Sequence, residues 1–389
     1  MPELLGNIQT PNLDETRLED FEIRVDDYIV IEWPDHHTVR LDSEGRWCTY
    51  QTPRQIYRRT VEGNAFRKTG ASYQSLEINE EKSLLAAIQA RLRSLAGPNL
   101  LKTSLIRKPE KRQKFYLCLD RALKRDYESY KRDKQIFDEI YPEPVPILPP
   151  DRYRDVVIQP ATGCPYGKCN FCIFYQDQRF HILKDDAFEE HINNVLSFFG
   201  SSINNRKGVF LGSASALSIP QRILAKRLDT IRSYFPHLKH GVSAFMDPNH
   251  MPNREVPDYK LLHNKGLRQV IIGLETGDPE LRNRLNKSSN LHELTEAVQR
   301  VKEAGLQVGL TVLVGAGGDS WADVQYQSTI DFIHELPLDI SDLIYLSPYE
   351  GSINETRLKE ESQRLQKGLQ KITSARIAPY PISLFRYFS

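Results

Sequence analysis

Few features of this chain point outward. Its 389 residues carry 52 Lys and Arg against 51 Asp and Glu, a formal net charge of +1. No sign of charge dominates, so nothing global draws the chain to nucleic acid or to a membrane surface. Long apolar runs are missing, and none approaches the ~18–20 residues of a membrane helix. The opening Met1-Pro2-Glu3-Leu4-Leu5-Gly6 lacks the basic start and apolar stretch of a signal peptide, so a cytoplasmic protein is expected. Short-period repeats and low-complexity tracts are absent as well. Cysteine is scarce, with five in all. An odd, clustered set in a reducing compartment excludes a disulfide scaffold and points to metal or catalysis.

What cysteine there is stands together. Cys164, Cys169 and Cys172 share the nine-residue stretch Cys-Pro-Tyr-Gly-Lys-Cys-Asn-Phe-Cys. Three thiolates hold three corners of a four-iron, four-sulfur cube and leave the last iron open to chemistry, whereas a fourth would close it. Gly163 and Gly167 let the backbone curl around such a cube, and Lys168 helps stabilise the thiolates that iron requires. Zinc is the competing reading, with His181 as fourth ligand at Cys-x8-His, although structural zinc loops come as two paired hooks. Cys48 and Cys118 stand alone and read as packed apolar residues.

The length suits two domains, and the texture of the sequence divides accordingly. Residues 1–20 are polar and read as loose, and alternating apolar and charged residues predict a small antiparallel sheet over 21–66. Within it, Thr38–Leu41 and Arg46–Tyr50 are joined by the turn Asp42-Ser43-Glu44-Gly45. Residues 79–95 and 110–140 read as helical. Five prolines in residues 141–150 stop helices, which places a boundary at residue 150. Beyond it, short apolar runs alternate with helical stretches. Strands are predicted at Asp155–Gln159, Gly208–Leu211, Gly241–Phe245, Gln269–Leu274, Gln307–Val314 and Leu343–Leu346, with helices near 185–199, 220–234, 256–265, 279–304 and 320–335. Uninterrupted Val, Ile and Leu strands suit a parallel sheet covered by helices. The fold class expected is α/β: a partial, open TIM-like (β/α)6 barrel over 151–350, an N-terminal α+β appendage over 1–150, and a C-terminal helix and docking tail over 351–389. The cysteine loop directly follows the first barrel strand, at the carboxyl end where such folds bind ligands.

On these residues the sequence resembles the radical S-adenosylmethionine (radical SAM) superfamily, nearest in wording to its elongator-type and methylthiotransferase-type branches. The usual spacing is Cys-x3-Cys-x2-Cys; here the first gap is one residue longer, and Phe171 holds the aromatic place. The second strand ends in Gly212-Ser213, where the family carries Gly-Gly-Glu, so only a backbone role beside methionine carries over. Glu275 in Gly273-Leu274-Glu275-Thr276-Gly277 matches the position that touches ribose. Thr311-Val312-Leu313-Val314-Gly315 is similar to the strand along adenine. Pro279-Glu280-Leu281 and Arg284-Leu285-Asn286-Lys287 also read like the superfamily. The resemblance implies a 4Fe-4S cluster on Cys164, Cys169 and Cys172, and S-adenosylmethionine near Phe171, Gly212, Ser213, Ser243, Glu275, Leu313 and Gly315. It implies reductive cleavage to a 5′-deoxyadenosyl radical, hydrogen abstraction from a small-molecule or peptide substrate, and an electron donor such as flavodoxin or ferredoxin.

Plainer readings stand beside these. Glu275 also suits a helix cap or salt bridge, and His250 and His263 read as solvated surface. Gly315-Ala316-Gly317-Gly318 lacks the Lys-Ser/Thr of a phosphate loop. Lys102–Lys134 carries twelve Lys or Arg against five acids, with Tyr116, Tyr127 and Tyr130 interleaved. A solvated helix face is its default, and contact with RNA phosphates, as in a tRNA-modifying enzyme, is the alternative. A zinc-stabilised nucleic-acid-binding module is the reading from another class.

Overall fold

The computed structural model describes residues 22–70, 72–95, 106–172, 174–175, 178–212, 214–349 and 354–388. The expectation for residues 1–20 lies outside them, as does Ser213. The chain divides into two compact units. One runs to Pro142 and takes in Asn194–Asn205 and the chain from Arg386 onward; the other comprises Glu143–Asn193 and Arg206–Phe385.

The first unit is an antiparallel meander of seven strands in sequence order: β1 (Glu22–Val25), β2 (Ile29–Glu32), β3 (Thr38–Leu41), β4 (Trp47–Gln51), β5 (Ile56–Arg59), β6 (Ala65–Thr69) and β7 (Ser72–Ser75). The β3–β4 turn forms as its residues dictate. Asp42 Oδ1 accepts from the Glu44 and Arg46 amides at 2.9 Å each, and Gly45 takes φ +73°. Three helices follow, α1 (Ile78–Ser94), α2 (Pro109–Leu123) and α3 (Tyr127–Ile140). The helix expected over 110–140 is therefore two. Asp126 leaves the helical region and caps α3 by accepting from the Ser129 amide at 2.8 Å. Alternate residues Ile29, Ile31, Val39 and Leu41 share one core with Leu84, Ile88 and Leu92 of α1 and with Phe115 and Leu119 of α2.

The second unit repeats strand and helix: β8 (Val156–Ile158), the two-residue strands β9 (Ala161–Thr162) and β10 (His181–Ile182), α4 (Asp185–Phe199), β11 (Val209–Leu211), α5 (Gln221–Tyr234), β12 (Val242–Met246), α6 (Val256–Asn264), β13 (Leu267–Glu275), α7 (Pro279–Arg284), α8 (Leu291–Glu303), β14 (Gln307–Val314), α9 (Ala322–His334), β15 (Leu343–Pro348), α10 (Glu355–Ile372) and β16 (Arg376–Pro379). The sheet order is β8-β11-β12-β13-β14-β15-β16, and every pairing is parallel. These are the six expected βα units, with β16 added as a seventh strand that the sequence reading did not include. Its four residues Arg376-Ile377-Ala378-Pro379 contain proline and are too short to stand out as an apolar run.

The sheet is curled. Tyr345 on β15 donates to Asp151, just before β8, at 2.7 Å, and accepts from Gln269 of β13 at 3.1 Å. Arg152 donates to Gln269 at 2.7 Å. Residues from distant strands thus meet inside the curve and fill its amino end with a buried polar plug. The unpaired face of the barrel lies between β8 and β16 in the sheet order.

Candidate active site

The cysteine loop leaves β9 and returns at β10, and these two strands pair antiparallel to close its base. Gly163 sits at φ +69°, where a Cβ would lie 2.4 Å from the Arg179 carbonyl oxygen; only glycine allows this approach. Its amide donates to both carboxylate oxygens of Glu143, at 3.0 and 2.9 Å. Gly167, at φ +65°, turns its amide toward Cys164 and donates to Sγ at 3.2 Å. All three cysteines are free and half-buried. Burial pushes the Cys164 thiol up, and pushes Cys169 up to about 12, with Lys287 pulling the other way and Glu275 and Asp247 adding to the rise.

A second segment supports the loop. Asn170 donates through Nδ2 to the Arg284 carbonyl at 2.7 Å and through its amide to Leu285 at 3.1 Å. Tyr166 Oη donates to the Asn286 carbonyl at 2.7 Å, and Asn286 Nδ2 donates to the Lys168 carbonyl at 2.5 Å. Phe171 packs against the apolar cluster of Leu281, Leu285 and Leu313, with Ala316, Trp321 and Tyr349 at its edge. Tyr166 stacks on His250 with ring centroids 3.9 Å apart.

Under the loop lies a buried charge cluster. Glu275 ends β13 at φ +64°, where the β13–β14 register shifts. Lys287 Nζ reaches Glu275 Oε1 at 3.4 Å, Asp247 Oδ2 at 3.9 Å and the Gly273 carbonyl at 2.9 Å. Thr311 of β14 donates to Glu275 Oε2 at 3.4 Å. Asp247 follows β12 and meets His250 Nδ1 at 3.2 Å. Burial opposes the ionised form of Asp247, yet Lys287 and His250 hold its carboxyl far below the usual range. Burial pushes Glu275 up, against the pull of Lys287 and Arg282. For Lys287, burial works against the cation and the two carboxylates more than offset it.

The predicted residues divide accordingly. The three cysteines, Phe171, Leu313 and Glu275 come together at the carboxyl ends of the strands. Gly212 lies against Gln159 and Val157, where an added Cβ would meet Gln159 Cγ at 2.6 Å. Ser243 pairs in register with Phe210 and Gln269, at the level of the polar plug and well below Glu275. Gly315, at φ +81°, faces Leu358 of α10. His250 is corrected from solvated surface to a half-buried wall of the cysteine loop, because Asp247 and Tyr166 hold it there. His181 is exposed on β10, and among the described residues no three His, Cys, Asp or Glu side chains group around a single ion. A cube of four irons and four sulfurs holds its ligands farther apart than one zinc ion does. Three free thiols on one curled loop, one already accepting an amide, fit it.

The second unit is thus a parallel, helix-covered partial barrel of the α/β class with a three-thiol loop at its carboxyl end. Residues 158–327 match the sequence model of the Radical SAM superfamily. This stretch has the sequence pattern of a radical SAM domain, and enzymes of that superfamily use a 4Fe-4S cluster and S-adenosylmethionine. The heme chaperone HemW of Buchnera aphidicola subsp. Schizaphis graminum (strain Sg) is 21% identical over 221 residues, covering 52% of this chain and 57% of that protein. The chain thus spans less than two thirds of that relative's length. Among solved structures, methylornithine synthase (PylB) is similar at 15% identity and a TM-score of 0.40, over 75% of this chain and 82% of that one. Coproporphyrinogen III oxidase (HemN) from Escherichia coli is similar at 12% identity and a TM-score of 0.40, over 64% of this chain and 54% of that one. No helix among the described residues is long and apolar enough to cross a membrane.

Proposed function

We propose that this protein cleaves S-adenosylmethionine reductively at a 4Fe-4S cluster and uses the resulting radical to take hydrogen from a small-molecule or peptide substrate. The observation that carries this reading is the placement of three free thiols on one curled loop at the carboxyl end of a parallel sheet. When bound, the cofactor pair supplies a 5′-deoxyadenosyl radical by one-electron cleavage of the sulfonium.

The chain's own residues perform the rest. Cys164, Cys169 and Cys172 would hold the cluster, and the Gly167 amide, which donates to Cys164 Sγ, would stabilise that thiolate. The apolar cluster around Phe171 and Leu313 suits the flat face of adenine and excludes water from the reacting centre. Glu275, held from one side by Lys287, keeps carboxylate oxygens to accept from ribose hydroxyls. Near the carboxyl end of β15, the buried Ser347 hydroxyl finds no partner among the described residues and suits a polar substrate group. An electron donor such as flavodoxin or ferredoxin supplies the electron.

The basic helices favour this substrate class over tRNA. Tyr130 is buried and accepts from the Trp47 amide, and Tyr116 and Tyr127 pack on the core. Lys111 pairs with Asp26, Arg121 with Glu44 and Arg125 with Asp133.

Anaerobic reconstitution with iron and sulfide tests the reading. The wild type is expected to turn brown with about four irons per chain, and to cleave S-adenosylmethionine with dithionite. Cys164→Ala, Cys169→Ala and Cys172→Ala are each expected to abolish cleavage. Retained cleavage in any of them, or a colourless wild type holding stoichiometric zinc, overturns it.

A further inference from the structure

The turn Arg284–Lys287 meets the cysteine loop by five hydrogen bonds, across 114 to 120 residues of sequence for the side-chain bonds. They fall on Tyr166, Lys168 and Asn170, which occupy the gaps between Cys164, Cys169 and Cys172. Asn286 makes three of them, accepting from Tyr166 through its backbone carbonyl and, at 3.4 Å, through Oδ1, and donating to the Lys168 carbonyl through Nδ2. Its φ of +53° is left-handed, a conformation asparagine reaches more readily than other side chains. That twist sends neighbouring residues in different directions. Leu285 goes to the Phe171 cluster and Lys287 goes back to Glu275 and the Gly273 carbonyl. Arg282 ties the same turn to β13 through the Leu274 carbonyl and closes it by donating to Ser288 at 2.6 Å.

We propose that Asn286 is a positioning residue that clamps the cysteine loop, and with it the cluster, against the end of β13. The proposal rests on the cluster reading above. The thiols are set from outside their own loop, because the residues on either side of Cys169 are held to a turn anchored on another strand. Asn286 itself is exposed, so its role is not in the core.

Three variants separate the side chain from the backbone. Asn286→Gly keeps the left-handed turn and loses the amide. Asn286→Asp keeps the shape and the tolerance of φ, but presents an acceptor to the Lys168 carbonyl. Asn286→Ala loses both. Each is reconstituted anaerobically with iron and sulfide, and loss of visible absorbance to excess EDTA is timed beside the electron paramagnetic resonance spectrum of the dithionite-reduced protein. All three are expected to lose iron about fivefold faster than wild type or more, the equivalent of one net hydrogen bond, with a broadened spectrum and apoprotein melting temperatures within a degree or two of wild type. Asn286→Gly and Asn286→Asp holding iron at the wild-type rate with the wild-type spectrum overturn the clamp alone. A wild type that takes up no iron and sulfide overturns the cluster reading and the clamp with it.

Discussion

Lys287 shows how much a single side chain carries here. It is buried between Asp247 and Glu275, and its charge is what makes those two carboxylates tolerable below the surface. Lys287→Met fills similar space, leaves Glu275 without its ion pair and leaves Asp247 with His250 alone. The expected loss is about 3–5 kcal/mol of stability, the usual result of orphaning a buried ionic partner. Adding Glu275→Gln is expected to recover part of it. Denaturant unfolding of the single and double variants reads both effects, and a single variant that unfolds at the wild-type midpoint removes the pairing from the account. The thiols were legible because their grouping is local in sequence. Asp247 and Lys287 were not, because forty residues separate them and neither sits in a pattern that names its partner. The place of Asp247 directly after β12, at the functional end of a strand, was the one available signal.

At the scale of elements, the joints decide more than the spans. The apolar periodicity over 279–304 reads as one helix, and the molecule makes two. Asn286 turns left-handed and Asn290 recaps α8, accepting from the Glu293 amide at 3.3 Å. Periodicity reports which face is buried and is silent on a turn that leaves that face in phase. A comparable joint links α8, β14 and β15. Lys302 pairs with Asp339 at 2.8 Å and with buried Asp342 at 2.7 Å, and Asp342 accepts from the Val308 amide at 2.8 Å. Hydrogen bonds from Lys302 and Ser341 lower Asp339 from 3.8 to about 2. A carboxyl lowered on folding contributes stability that is present above its unfolded value and lost as pH falls through the folded one. The stability difference between wild type and Asp339→Asn is therefore expected to be constant near neutrality and to vanish between about pH 4 and pH 2. Asp339 is largely exposed, so the difference is small. Urea midpoints at a series of pH values check it, and a difference that grows on acidification contradicts the sign.

Taken whole, the molecule is two folded units written by an interrupted chain. The proline run over 141–150 and the change of texture after it read as a boundary between two regions, but no composition shift marks residues 386–388 as part of the first unit. There Thr60 bridges Phe388, the Val61 amide donates to the Tyr387 carbonyl at 2.7 Å, and Arg58 lies over the Phe388 ring at 3.7 Å. Phe66 and Tyr73 complete the aromatic group, with centroids 6.3 and 4.9 Å from that ring. Phe388→Ala is expected to cost about 2 kcal/mol, a partly buried aromatic together with its cation–π contact. Limited proteolysis is expected to report it as faster cutting within residues 56–75, and an unchanged digestion pattern counts against the contact.

That bridge also orders events in time. Ribosomes deliver residue 60 more than three hundred positions before residue 388, so the β5–β6 hairpin waits through translation of the second unit for this partner. A nascent chain that has not reached residue 388 holds Phe66 and Tyr73 without that ring over them.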